Sequence, residues 1–309
     1  MALSSVVVLC TRHRPHDVEG ALVSIAAQTI VADAVVVVDS STDDRTRLVV
    51  ATAQALWPEH RQLRYVATTP SLTHQRIVGI AETDSDIVMF VDDDVRLDPL
   101  YCEEVLATFA NDIDATIGGV GGFIVDQPAR RVRVFDVLFG LDSRVEGLML
   151  RSGRNIAVVT EPKRTIDVDW LSGTAMSYRR SMLELEPPDE DGFPFEGEDA
   201  DLSFRVGGHA RLVVNPRARV RHLESQDNRV AGSAQAAAEL AARFARVRQH
   251  PNRLSHRAAL IAAFAQLAKH ALVGVLTLSR RHLRLASGTT RALAIHLILV
   301  SKSSVTRRF

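Results

Sequence analysis

The chain has 309 residues, of which 46% are hydrophobic, 24% charged and 5% aromatic. That balance excludes a disordered, collagen-like or disulfide-framed chain, and the length suffices for a sizeable core without staples. The 37 Lys/Arg and 37 Asp/Glu cancel, but unevenly: from residue 229 onward there are 14 Lys/Arg and one acid, Glu239. The preceding part carries the matching excess of acids, and such asymmetry speaks of partners rather than of fold.

The first 125 residues alternate between two periodicities. SVVVLC at 5–10 is a continuous β-branched run, the pattern of a strand buried on both faces. Residues 17–28 place Val18, Ala21, Leu22 and Ile25 at helical spacing. AVVVV at 34–38 reads as a second buried strand ending at Asp39, and the polar turn SSTDD after it supplies helix N-cap candidates. A helix at 45–56, a weaker strand at 62–67 and a helix at 71–82 follow. IVMFV at 87–91 is another buried strand, and it runs directly into Asp92-Asp93-Asp94. A helix spans 99–111 with Pro99 near its start, and 115–125 is strand-like and broken by glycine. This order predicts an α/β, doubly wound, mostly parallel sheet, in which ligands bind beyond the carboxyl ends of the strands.

The pattern is irregular over 126–164. VDWLSGTAMSY at 168–178 reads as strand, glycine turn and strand. The acidic, proline-rich 187–198 reads as a loop, 199–206 as a short helix, and 211–215 and 219–222 as strands. After residue 228 an Ala-rich helical periodicity runs through 231–249, 255–278 and 289–301, so a basic α-helical C-terminal extension is expected over 229–309. Cys10 and Cys102 read as buried thiols of a reducing compartment. No uninterrupted apolar run approaches the roughly 18 residues of a spanning helix. A cytoplasmic protein that can rest on the inner face of a membrane is the expectation.

Several clusters carry chemistry. Asp92 and Asp94, two apart at the end of a buried strand, can share a hard divalent ion; the alternative is a solvated turn. Asp39 can cap the helix that follows it or bond a ribose or base edge. Neither G-x-G-x-x-G nor G-x-x-x-x-G-K-[ST] is present. Phosphate would therefore be held by metal and cations, for which Arg12, Arg14 and Arg76 are available. In FEGEDAD at 195–201 the acids either favour a helix N-terminus or supply a general base. His222, at a strand end, is either structural or completes a metal's ligand set.

Taken in order, VVVLCTRHRP, VVVVDSSTDD, Arg76 and Gly79 in QRIVGI, IVMFVDDDV, VDWLSGTAMSYRRS, FEGEDADLSFRV and VRHLES resemble the family 2 glycosyltransferases, over about residues 5 to 225. The resemblance implies a GT-A fold, a Rossmann-like, mostly parallel central sheet with flanking helices. It divides residues 1–228 into a nucleotide-binding half to about 125 and an acceptor and catalytic half. Thr11, Arg14, Asp39, Arg76 and Asp93 match nucleotide-binding positions. Asp92, Asp94 and His222 match ligands of Mn²⁺ or Mg²⁺. Trp170, Gly173 and Thr174 match the donor and acceptor pocket, Asp199 the catalytic base and Glu198 its partner. His13 stands where Asn is common, and Ile77 where many members carry Asn.

The chemistry implied is inverting transfer of a sugar from a nucleotide-sugar donor to a hydroxyl acceptor, a cell-envelope glycan or a lipid-linked saccharide. Two other readings stand beside it. A sugar-phosphate nucleotidyltransferase would need a glycine-rich loop after the first strand, where this chain has CTRHRP. A non-catalytic nucleotide-binding scaffold would keep the fold alone. The basic tail, densest at SRRHLR (279–284), suits an anionic membrane surface, the chain's own acidic body or an oligomer contact. Its scarcity of aromatics argues against nucleic acid.

Overall fold

The computed structural model describes residues 3–57, 61–193, 196–225 and 232–306, with side chains to residue 298. Phe195 of the acidic motif and the expected boundary at residue 228 lie outside them. The chain divides into two compact units, residues 1–130 with 157–228, and residues 131–156 with 229–309.

The first unit is built on a nine-stranded sheet. Its parallel half contains β1 (Ser5–Thr11), β2 (Ala34–Asp39), β3 (Gln62–Ala67) and β4 (Ile87–Asp92), in the order β3-β2-β1-β4. β1 and β4 are buried along nearly their whole lengths, and β2 throughout, as their unbroken apolar runs require. The intervening helices are α1 (Pro15–Ala26), α2 (Arg45–Gln54) and α3 (Leu72–Ala81). α1 has Pro15 at its start and buries Val18, Ala21, Leu22 and Ile25, the stripe its spacing predicts. Ser71 caps α3 by accepting from the amide of His74.

β4 turns at the three aspartates into the short β5 (Val95–Leu97), and α4 (Tyr101–Ala110) follows. The rest of the sheet is mixed. β6 (Ile117–Val125), β7 (Ile166–Val168), β8 (Ala175–Arg179) and β9 (Arg211–His222) extend it in the order β4-β8-β6-β9-β5, with β7 also paired to β9. β8 runs antiparallel to β4, and β9 is parallel to β6 but antiparallel to β5 and β7. Two short helices, α6 (Arg180–Leu185) and α7 (Glu198–Val206), complete the unit, with α5 (Val134–Leu138) belonging to the other.

The structure corrects the expected pattern in three places. Residues 211–222 form one strand rather than two, because a register shift against β6 between Gly122 and Phe123 absorbs Pro216–Ala218. Residues 131–156, expected with the acceptor half, pack with the C-terminal helices instead. Arg246 donates to the carbonyl of Gly153 at 2.8 Å, and Lys269 bonds both carboxylate oxygens of Asp136 at 2.7 Å. The last helix begins at Arg280 rather than 289, so residues 280–284 of the basic SRRHLR patch lie in its first turns.

The second unit thus contains α5 with α8 (Ser233–Gln249), α9 (His256–Leu276) and α10 (Arg280–Thr306). Gly274 and Gly288 mark where backbones crowd. A Cβ on Gly288 would lie 2.1 Å from the carbonyl oxygen of Ser233, which only glycine permits. By length and composition α9 is apolar enough to cross a membrane, with a mean hydropathy of 1.7 over an 18-residue window that is 33% buried.

Candidate functional site

The parallel strands end side by side. Register sets Thr11 beside Asp39 and Cys10 beside Asp92, so three polar strand tips share one edge of the sheet. Gln75, on α3, donates to the carbonyls of both Thr11 and Val38 at 2.8 Å and ties the tips of β1 and β2 together.

At the end of β4 the aspartates diverge. Asp93 accepts from Thr11 Oγ1 at 2.7 Å and from Arg14 Nη1 at 3.0 Å. Burial pushes its carboxyl up to about 7, against the pull of Arg14. Three of the expected nucleotide contacts, Thr11, Arg14 and Asp93, thus bond one another and brace the turn. Asp92 and Asp94 meet His222 instead. Pairing of β5 with β9 puts Val95 opposite His222, which brings His222 Nε2 to 3.1 Å from Asp94 Oδ1. The backbone amides of Leu223 and Ser225 also bond Asp94, at its carbonyl and at Oδ2. Ligand atoms of Asp92, Asp94 and His222 all lie within 4.8 Å of one another. Two carboxylates and an imidazole, mostly buried, are a donor set that fits a divalent cation.

Behind Asp92 lies Arg76, 3% exposed. Its Nη1 donates to Glu198 Oε1 at 2.7 Å, and its guanidinium sits over the Phe90 ring at 5.8 Å. Asp92 and Asp199 also face it, and these charges hold its pKa above the ordinary arginine value despite burial. Burial pushes Glu198 up to about 7, with Arg76 opposing. Arg76 is therefore the cation common to the strand-tip aspartates and the acidic helix start.

The acids at 198–199 form the first turn of α7, after Gly197 in the left-handed conformation at φ 78. Asp199 accepts from the amide of Gly173 at 2.9 Å through Oδ2, and from its neighbour Ala200 through Oδ1. A Cβ on Gly173 would lie 2.8 Å from Arg76 Nη2 and 3.3 Å from Asp199 Cβ, so glycine allows arginine and aspartate to converge there. The next residue, Thr174, is buried, and its carbonyl accepts from the amide of Asp92 at 3.2 Å. Trp170 is half-buried in the same connection between β7 and β8. Ser203 fastens α7 to this connection, accepting from the amide of Leu171 at 3.0 Å and bonding Tyr178 at 2.8 Å.

Asp39 forms a second group at the tip of β2. It accepts from the amide and hydroxyl of Ser41 and, at 3.0 Å, from the hydroxyl of Tyr65. His13 sits at φ 56 with its amide on Ser41 Oγ at 2.7 Å. Asn and His are both enriched in that left-handed region, which explains why His serves here. Gln75 and Tyr65 escape sequence reading because their partners are backbone carbonyls or a residue on another strand.

Residues 6–184 match the model of "Glycosyl transferase family 2". The chain belongs to that family. No curated protein sequence matches it. Among solved structures, this family 2 glycosyltransferase is similar to the mannosyltransferase PcManGT from Pyrobaculum calidifontis in complex with GDP-Man and Mn²⁺. Identity is 17% and the TM-score 0.61, over 95% of this chain and 88% of that one. GalNAc-T7 with UDP, GalNAc and Mn²⁺ gives 14% and 0.59 over 80% of this chain, and S. aureus TarS 16% and 0.55 over 88%. This chain spans 48% of the GalNAc-T7 chain and 43% of TarS. At such identities the likeness shows the GT-A fold.

Proposed function

We propose that this glycosyltransferase moves a sugar, with inversion, from a nucleotide-sugar donor to a hydroxyl of a cell-envelope glycan or lipid-linked saccharide. The observation that carries the reading is the meeting of Asp92, Asp94 and His222 on one side of Arg76 with Glu198 and Asp199 on the other. Asp92, Asp94 and His222 would hold Mn²⁺ or Mg²⁺. The cation, when bound, neutralises charge on the departing diphosphate. Two similar structures were solved with Mn²⁺ and a nucleotide or nucleotide sugar, which supports the same chemistry here.

Asp199 is the base for the acceptor hydroxyl, and the Gly173 and Ala200 amides fix the direction of its carboxylate. Glu198 acts through Arg76, holding the guanidinium between the two acidic groups. Asp39, positioned by Tyr65 and Ser41, keeps lone pairs for a base or ribose donor. Thr11, Arg14 and Asp93 support the nucleotide side by fixing the turn. Trp170, Gly173 and Thr174 line the sugar. The basic C-terminal residues 229–309 suit an anionic lipid surface, where a lipid-linked acceptor would be found.

The test is a hydrolysis screen of nucleotide sugars with Mn²⁺, read as release of nucleoside diphosphate. One donor should be turned over slowly without acceptor, and Asp199→Asn should abolish transfer to an acceptor. Donor binding with no transfer by wild type or by Asp199→Asn would favour the scaffold reading, and transfer unchanged in Asp199→Asn would contradict Asp199 as the base.

A further inference from the structure

The second unit carries an apolar surface that the transfer reaction does not use. α9 exposes Ile261, Phe264, Leu272 and Val275 at 54%, 52%, 61% and 65%. With Ala268 between them the steps are three or four residues, so they form one stripe along the helix. The opposite face is spent within the unit: Ala259, Ala262, Ala263 and Gly274 are buried, and Gln266 bonds the buried Arg243. α9 is thus apolar on a face that packs and on a face that does not. The ion pair of Lys269 with buried Asp136 locks α5 alongside, with Val134, Phe135 and Leu138 exposed. Phe135 and Phe139 form an open apolar groove with Ile261 and Phe264.

The charge around this surface selects its occupant. Residues 131–156 and 229–309 together hold nineteen Lys/Arg against four acids. Arg257 begins the stripe, and exposed Arg280, Arg281 and Arg284 follow just beyond its end. A second copy docked face to face would bring like charges together. Nucleic acid would satisfy the arginines but not the apolar stripe. An anionic bilayer satisfies both, with phosphates for the arginines and acyl chains for the stripe. We propose that the outward face of α9, with α5, rests on an anionic lipid surface, α9 lying in the interface rather than crossing. The packed face of α9, with Lys269 and Gln266 engaged inside the unit, keeps the helix from being a free span.

The experiment is co-sedimentation of the full chain with vesicles of phosphatidylcholine alone or with about one-third phosphatidylglycerol, at about 0.1 M salt. Binding to the anionic vesicles should exceed that to the neutral ones by at least about tenfold. The double variant Phe264→Asp/Leu272→Asp should lose at least about tenfold of it, with unchanged circular dichroism. Arg280→Glu/Arg281→Glu/Arg284→Glu should remove the preference for anionic lipid. Phe264→Trp should show a blue-shifted emission on the anionic vesicles. Equal binding by wild type and Phe264→Asp/Leu272→Asp, or no binding to anionic vesicles, would overturn the proposal. So would a dimer in gel filtration that the same double variant dissociates. None of these readouts depends on sugar transfer, so failure here leaves the catalytic reading untouched.

Discussion

His222 Nε2 lies 3.1 Å from Asp94 Oδ1, a contact made by two strands that pair antiparallel at the far side of the sheet from β3. A lone histidine at a strand end is commonly structural. Here the pairing of Val95 with His222 fixes it against an aspartate that is 1% exposed. His222→Ala should therefore weaken Mn²⁺ by about tenfold or more in calorimetry, since even outer-shell partners of a metal cost that much.

The Arg76–Glu198 pair is buried on both sides, at 3% and 9% side-chain exposure. Removing one partner leaves the other charge desolvated. Glu198→Gln should cost about 3 kcal/mol in urea unfolding. Arg76→Met combined with Glu198→Met should not recover that loss, because Asp92 and Asp199, which also face Arg76, then lose their cation.

Gly173 separates structure from chemistry. Its substitution by Ala forces a methyl between Arg76 and Asp199 while leaving the sheet intact. The expected result is a fall in kcat of about 100-fold, the effect of roughly an ångström of misplacement, with a melting temperature close to wild type. A variant equal to wild type in kcat would show that Asp199 does not need its present position.

Cys102 is fully buried in α4, and burial pushes its thiol up to about 12 from an ordinary 9.0. The raised value favours the protonated, folded form. That contribution is complete below about pH 9 and is lost as pH climbs towards 12. Stability should thus fall with alkali above about pH 9. At about pH 8, alkylation in the native state should be about a thousandfold slower than in urea. Cys10 is also raised to about 12, but it is only half-buried and should be alkylated faster than Cys102.

Much of this was legible in the chain itself. The Val-rich runs of β1, β2 and β4 can only be strands buried on both faces, and acids placed directly after such runs fall at the ligand edge of the sheet. What was not legible depends on distant partners. Gln75 and Tyr65 find theirs on neighbouring strands, and neither lies in a local pattern that announces it. Residues 131–156 carry no periodicity of their own, and their place follows from bonds such as Gly153 to Arg246 and Asp136 to Lys269. The start of α10 reads as a charged patch because arginines and a histidine outnumber the apolar residues that would mark a helix.

The most direct test of the strand-tip aspartates is calorimetric titration of the full chain with a nucleoside diphosphate, with and without Mn²⁺, for wild type and Asp94→Ala. Binding should require the cation in the wild type and be absent in the variant under either condition. Equal affinity with and without Mn²⁺, or in Asp94→Ala, would contradict a cation held by Asp92, Asp94 and His222.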